Sequence, residues 1–527
     1  MFSMKKENIL MGTLILSASS IFVRMIGFVF KVWLSNTMGA EGTGVYSLIM
    51  SLYMVCATLA TSGISSGVAK LAAYEFSQGK EANARLILRR SLTLSLTLST
   101  AVGVLLFVFA EYVGMYVLRD ERTILSLRLL APGLPFMSVA GCLRGYFIAK
   151  RRMGNPAVSQ IVEQLVKIAF IVGTIGYFLP RGIEYGSAIV IAGITIGEVV
   201  CFFISWIGYL WDKKRGSRQR KADISGVTKS ILYFALPISA GSYVRSGMRL
   251  WEDVLILSGL TAFSGESNIA TGTYGILRGM VMPLLIFPLS LLSAFVMTLT
   301  PEISRLSGPQ NREILQSTIT KILQVTFIIA IFIVAVLMTF AYEMGVLIYN
   351  SSEVGRILML LSWLGPFMSI EMVVVSILQG LGEQVSSMRY TITDCMIRVA
   401  IAYLLIPHMG VGGFVIMVIV SNLYTSILNL RRLLRITSLS LKFNDWVVKP
   451  VLAALAATQL ARLASTYQIF STLPLWGAIT IGSLMIAFTY IVVLLSVGSV
   501  ALSDFAWVIR RVKTSTRQPS ATAEKVL

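Results

Sequence analysis

A single histidine, His408, and four cysteines, Cys56, Cys142, Cys201 and Cys395, leave this chain of 527 residues little material for metal or redox chemistry. The cysteines share no close spacing and all fall in apolar segments, so neither a disulfide framework nor a metal site is expected, and no cofactor is implied. Charge is also scarce. Only 13% of residues are charged, 56% are apolar, and the mean hydropathy is +0.78, which excludes a soluble globular domain. A bilayer crossing takes roughly 20 mostly apolar residues as a helix, and lipid offers nothing to an unpaired backbone amide. Read in that window, the sequence predicts an all-α polytopic membrane protein with fourteen transmembrane helices, centred near residues 22, 54, 98, 137, 167, 198, 242, 284, 328, 368, 397, 422, 457 and 485. A β-barrel is excluded because the apolar runs are continuous and do not alternate.

The bases outnumber the acids, for a net charge of +20, and their positions alternate along the chain. Most sit in every second break, including Lys150-Arg151-Arg152, the stretch Lys213 to Lys221 and Arg431-Arg432-Arg435; the intervening breaks hold only Arg119, Arg122, Arg128, Arg181, Arg356 and Arg462. This is the positive-inside pattern, and it predicts a multi-pass membrane protein with both termini in the cytoplasm. The excess charge then reports topology and contact with anionic membrane lipids. No basic face is interleaved with aromatics on a soluble domain, so a nucleic-acid partner is not expected. The first apolar stretch, Leu10 to Leu34, is long and carries Arg24 and Lys31, which reads as a retained span and not as a cleaved signal.

The chain repeats itself. Leu127 to Ala169 is echoed by Leu358 to Ala400, 231 positions later: both copies carry Pro-Phe-Met-Ser (Pro135 to Ser138, Pro366 to Ser369), and both place an acid four residues before a base in the following span, Glu163 with Lys167 and Asp394 with Arg398. Shorter echoes pair Thr43-Gly44-Val45-Tyr46 with Thr271-Gly272-Thr273-Tyr274, and Phe22-Val23-Arg24 with Tyr243-Val244-Arg245. Duplicated helical sets are the trace of transporter folds whose lobes enclose a site near the bilayer midplane. The expected organisation is a six-helix lobe (1–210), a basic cytoplasmic linker (211–226), a second, pseudo-symmetric six-helix lobe (227–435), a helix pair (436–500) and a cytoplasmic tail (501–527).

Charges inside the spans are the candidate site. Burying an arginine in lipid costs at least about 2.5 kcal/mol, and Arg24 lies too far along its helix to reach either interface, so it must face protein or water. Lys31 follows it at i+7. On the seventh span Arg245, Arg249 and Glu252 fall at i, i+4 and i+7, with Asp253 adjoining, a stripe first cationic and then acidic. The functional reading is a hydrated cavity whose bases hold an anionic group, to which arginine offers paired hydrogen bonds. The competing reading pairs Arg249 with Asp253 and makes Arg24 a lock between helices. Glu163 with Lys167 and Asp394 with Arg398 are each self-neutralising at i, i+4, and read first as structural ion pairs and second as gating elements. Arg278, Glu198 and Glu371 are lone intramembrane charges without an assigned role. No catalytic constellation is present in this reading, and no outer loop is long enough to hold an enzyme site.

Gly12-Thr13-Leu14-Ile15-Leu16, Arg24-Met25-Ile26-Gly27-Phe28, Leu143-Arg144-Gly145-Tyr146-Phe147, and Met153-Gly154-Asn155-Pro156 with Ser159-Gln160 and Glu163-Gln164 resemble the stage V sporulation protein B group. That group belongs to the polysaccharide-exporter branch of the superfamily that also holds MurJ-type lipid II flippases, oligosaccharide-lipid flippases and multidrug antiporters. The resemblance implies an alternating-access flippase, not an enzyme, moving a polyprenyl-pyrophosphate-linked sugar, a peptidoglycan precursor for spore cortex or cell wall, from the inner to the outer leaflet. Its implied partners are that lipid-linked anionic glycan, membrane lipids and cell-wall polymerases. The alternative is a multidrug or other cation antiporter on the same fold. MurJ-type proteins follow the first-helix arginine with an acid, where this chain has Met25.

The topology is directly testable. In a background with all four cysteines replaced, single cysteines at Ser217 and Ser440 are expected to stay shielded from an impermeant thiol reagent in intact cells, while those at Ser267 and Ser352 label; the reverse pattern would overturn the orientation.

Overall fold

A computed structural model describes residues 2–61, 63–215, 227–306, 308, 311–439, 443–465 and 474–498. Residues 216–226 of the expected linker lie outside these, as does the expected tail. Regular structure among the described residues is helical throughout. The early helices are α1 (Phe2–Thr61), α2 (Ile64–Ser77), α3 (Glu81–Val108), the short α4 (Ala110–Tyr112), α5 (Ile124–Leu130), α6 (Gly133–Ala149), α7 (Gly154–Phe178) and α8 (Ile183–Arg215). There follow α9 (Val227–Ser264), α10 (Ser267–Tyr274), α11 (Met282–Leu306), α12 (Arg312–Thr339), α13 (Ala341–Tyr349), α14 (Ser352–Ser362), α15 (Gly365–Gly380), α16 (Gln384–Met409) and α17 (Val411–Thr437). The last two are α18 (Lys449–Ser465) and α19 (Leu475–Ser496). Every one of the span centres expected from sequence lies within a helix. The first two share α1, which is broken at Gly39, where φ is 72° and only glycine is at ease. Among the described residues ten helices are long and apolar enough to cross a bilayer, or twelve when each of two bent pairs counts as one span.

Those bent pairs carry the sequence repeat into three dimensions. Glu121–Leu130 meets Gly133–Ala149 at 47°, and Ser352–Ser362 meets Gly365–Gly380 at 60°. The echoed prolines explain the shared break, because Pro135 and Pro366 fall in the first turn of α6 and α15, where a missing N–H removes no helical bond. The preceding helices correspond as well: α3 and α12 are both 28 residues long and begin 231 positions apart.

The chain divides into two compact units. One comprises Met11–Gly279 with Cys395–Phe414, and the other Met280–Asp394 with the described residues from Val415 onward. The division runs through α16 and groups α9 and α10 with the helices that precede the linker. In the first unit Val45, Ile49, Leu127, Leu134 and Ile191 form a buried core; in the second, Ile319, Leu323, Val373, Ile377 and Trp446 do so.

Close backbone approach fixes α1 against α10 within the first unit. A Cβ on Gly44 would stand 2.1 Å from the Thr271 carbonyl oxygen, and one on Gly275 would stand 2.0 Å from that of Ala40. Helices that meet through small residues at such distances gain dispersion contact and weak hydrogen bonds, the main forces left to them in lipid. The two Thr-Gly-x-Tyr echoes are thus each other's packing partners.

Gly275→Val is therefore expected to lower the thermal midpoint of the purified full-length protein by an amount matching about 1–3 kcal/mol of overpacking or more. Gly173→Ala, where a Cβ meets nothing within 4 Å, is expected to leave the midpoint unchanged or raise it. Equal effects of the two changes would show that the α1 contact is not tight.

Candidate functional site

Two adjoining cavities open among α1, α6, α7 and α8 of the first unit. The larger, about 530 Å3, is lined by Arg24, Arg144, Gln160 and the hydroxyl residues Ser20, Thr61 and Ser65. The smaller, about 250 Å3, is lined by Lys31, Lys167 and Tyr53. Glu163, Gln164 and Glu198 belong to both. Two pairs of cations, Arg24 with Arg144 and Lys31 with Lys167, are thus separated by a shared pair of carboxylates. Tyr53 donates from Oη to Glu198 Oε1 at 3.1 Å. Glu163 and Lys167, expected as an ion pair, line the smaller cavity together with Glu198, Tyr53 and Lys31. Four bases against two acids leave this region of the membrane-spanning helices net positive.

A second group of charges is fully internal. Glu252 on α9, with 3% of its surface exposed, accepts from Arg278 Nη2 at 2.5 Å, from Arg398 Nε at 2.9 Å and from Arg398 Nη2 at 2.6 Å. Arg278 also reaches Asp253 at 2.7 Å, and its guanidinium centre stands 5.7 Å from the Phe414 ring. Arg278 sits on the π-helical turn Gly275–Val281 that follows α10. The wider turn there is a deviation frequent at functional positions.

Arg278 reaches Asp253, and Arg398, expected to pair with Asp394 on its own helix, also sends two hydrogen bonds across to Glu252. A guanidinium can meet a carboxylate side-on between helices with two parallel bonds. Arg245 and Arg249 lie on an exposed face of α9 and line neither cavity. Asp394 is buried.

Two further clusters tie helix ends. Asp212 near the end of α8 accepts from Lys150 Nζ at 2.8 Å, from Tyr146 Oη at 3.2 Å and from Arg152. At a loop expected on the opposite face, Arg122 joins Asp120 at 2.6 Å and Glu41 at 2.5 Å. Hydrogen bonding to Asp120, and then the charge of Asp120 and the bond to Glu41, outweigh burial and hold the Arg122 guanidinium above its ordinary range. Sequence reasoning named neither cluster. It also left Arg144, Gln160 and Glu198 without a role, although the first two stand in the motifs that carry the family resemblance.

Duplicated helices, a kinked first helix and a charged cavity among membrane-spanning segments define a polytopic helical membrane protein of the transporter kind. The family described as Polysaccharide biosynthesis protein matches residues 9–307, and the chain belongs to it, within the superfamily that holds the MurJ-type flippases. Stage V sporulation protein B of Bacillus subtilis (strain 168) is 24% identical over 453 residues, covering 84% of this chain and 87% of its own. Lipid II flippase MurJ of the same organism is 23% identical over 435 residues, covering 78% of this chain and 79% of its own. A solved structure of Lipid II flippase MurJ in an inward closed conformation superposes with a TM-score of 0.70 at 14% identity, over 91% of this chain and 98% of that one.

The buried cluster makes a sharp stability prediction. Glu252→Gln leaves two guanidinium groups facing a neutral amide, and removing one partner of a buried pair costs about 3–5 kcal/mol. Glu111→Gln, which removes an exposed partner of Arg128 at 3.5 Å, is expected to change stability by less than about 1 kcal/mol. Thermal unfolding of both variants in detergent checks this; equal midpoints would show that the cluster is not a structural lock.

Proposed function

We propose that this protein flips a polyprenyl-diphosphate-linked glycan, of the peptidoglycan-precursor type, from the inner to the outer leaflet of a bacterial cytoplasmic membrane by alternating access. The observation that carries this reading is the net positive cavity pair among α1, α6, α7 and α8, with its inner walls of amide and hydroxyl groups. A diphosphate crossing the low-dielectric middle of a bilayer must be met by fixed positive charge, and arginine meets it through charge-assisted, often paired hydrogen bonds. Amides and hydroxyls suit the sugar. The names of the relatives, a sporulation protein and a lipid II flippase, agree with a cell-wall or spore-cortex precursor delivered where polymerases would consume it.

The rival, a multidrug cation antiporter, requires carboxylates in excess in the cavity of the first helices, whereas Arg24 and Lys31 stand there. No group in this reading makes or breaks a covalent bond, so the protein acts as a transporter. In this reading Arg24 and Lys31 attract the anion from the cavity walls and Arg245 and Arg249 from the exposed face of α9, outside both cavities, with Glu252 and Asp253 further along that helix.

Purified protein in liposomes is expected to flip a fluorescent polyprenyl diphosphate sugar. Arg24→Ala and Arg245→Ala are each expected to abolish flipping without loss of folding, Lys at either position rescues only in part because the fork is lost, and Arg249→Ala is milder. Wild-type rates from Arg24→Ala would refute the anion cavity, and wild-type rates from Arg245→Ala would refute a part for the α9 arginines.

A further inference from the structure

We infer that Arg144, on α6, is the anion-anchoring residue of the larger cavity and takes a phosphate oxygen of the ligand. This deepens the reading above, on which it rests for the identity of the lipid. Arg144 is partly buried and lines the cavity together with Arg24. Its buried Nε has no hydrogen-bond partner, and its Nη2 meets only Cys201 Sγ, a weak acceptor, at 3.8 Å. Among the described residues it forms no ion pair. Glu163 and Glu198 line the same cavity, and the charges of Arg144 and Glu198 act on each other, but neither carboxylate is within ion-pair distance; a guanidinium carries five donors, and those of Arg144 are poorly satisfied until an anion or water reaches them. By contrast Arg278 is ion-paired with Glu252 and Asp253, and Arg398 with Glu252, so their charge is already met by carboxylates.

The backbone that bears Arg144 is pinned on both sides. Three residues before it, the Gly141 carbonyl accepts from Ser65 Oγ at 2.8 Å; one residue after it, a Cβ on Gly145 would stand 2.6 Å from the Ser65 carbonyl oxygen. Helices α2 and α6 therefore touch where the arginine leaves the chain, and its donors are aimed before any ligand arrives. Such preorganised donors need no rearrangement at binding. The carboxylates of Glu163 and Glu198 line both cavities and disfavour an anion beside them, while Arg24 and Arg144, which line only the larger one, draw it there. Gln160 and Gln164 remain for the ester oxygens or sugar hydroxyls that follow.

The test is binding by the full chain in lipid nanodiscs, with farnesyl diphosphate as the lipid-borne probe, inorganic pyrophosphate as the free one, and farnesol as the uncharged reference. Wild type is expected to bind farnesyl diphosphate more tightly than farnesol. Arg144→Gln should weaken diphosphate binding at least about tenfold, and Arg144→Lys less, since it keeps the charge but not the fork. Farnesol binding and the thermal midpoint should not change, and Arg181→Gln, remote from the cavity, should behave as wild type. The same loss for pyrophosphate assigns the site to the phosphoryl group alone; loss confined to farnesyl diphosphate assigns it to the lipid-borne form. If Arg144→Gln proves unstable, the Lys variant alone decides. Unchanged diphosphate affinity in the folded variants, or no diphosphate binding by wild type, overturns the proposal. Binding with this pattern but no flipping by wild type refutes the transport reading and leaves the site standing.

Discussion

A charge within a bilayer-spanning helix must be paired, hydrated or absent, and the two charged regions of the first unit are the two permitted answers. Glu252, Asp253, Arg278 and Arg398 neutralise one another in a buried cluster that joins α9, the π turn after α10 and α16. Arg24, Arg144, Lys31 and Lys167 face cavities instead. The first answer makes a scaffold, since three segments must hold position for the cluster to stay satisfied. The second leaves four bases facing the two carboxylates Glu163 and Glu198, an excess of positive charge that water or a ligand must satisfy.

Much of the fold was legible because hydropathy and repetition are long-range signals. A stretch of roughly 20 apolar residues has few structural options, and a repeat spacing of 231 positions carries helix lengths and break points together, as α3 with α12 and the two bent pairs show. Pro135 and Pro366 mark those breaks in the sequence by their chemistry alone. The division into units was less accessible. It cuts α16 between Asp394 and Cys395, and nothing in local hydropathy distinguishes one half of that helix from the other.

The charged residues were legible one at a time and not as partners. Arg24 stood out because its depth along α1 made burial costly. Glu252 and Asp253 stood out through their place on a stripe. The partners of Glu252 from elsewhere in the chain were not legible, because helical spacing reveals neighbours on one helix only, and Arg278 and Arg398 approach from 26 and 146 positions away. Arg144 escaped for a different reason: its sequence context is apolar and glycine-rich, and its place on the cavity wall follows from how α2 and α6 pack, which one sequence does not display.

Glycine contacts give the duplication a mechanical consequence. The echoed segments Thr43 to Tyr46 and Thr271 to Tyr274 lie against each other, with Gly44 under the Thr271 carbonyl and Gly275 under that of Ala40. One end of this seam adjoins the turn that carries Arg278, and Gly279 in that turn has no room for a Cβ beside Thr43 Cγ2, at 2.1 Å. The backbone bearing Arg278 is thus clamped against α1, while its guanidinium is tied to α9 through Glu252 and Asp253. Helix α1 carries Arg24 and Lys31 on the other side of the Gly39 break. The break therefore lies between the segment of α1 that clamps the ion cluster and the segment that carries the cavity arginine, so the two parts of one helix serve different ends.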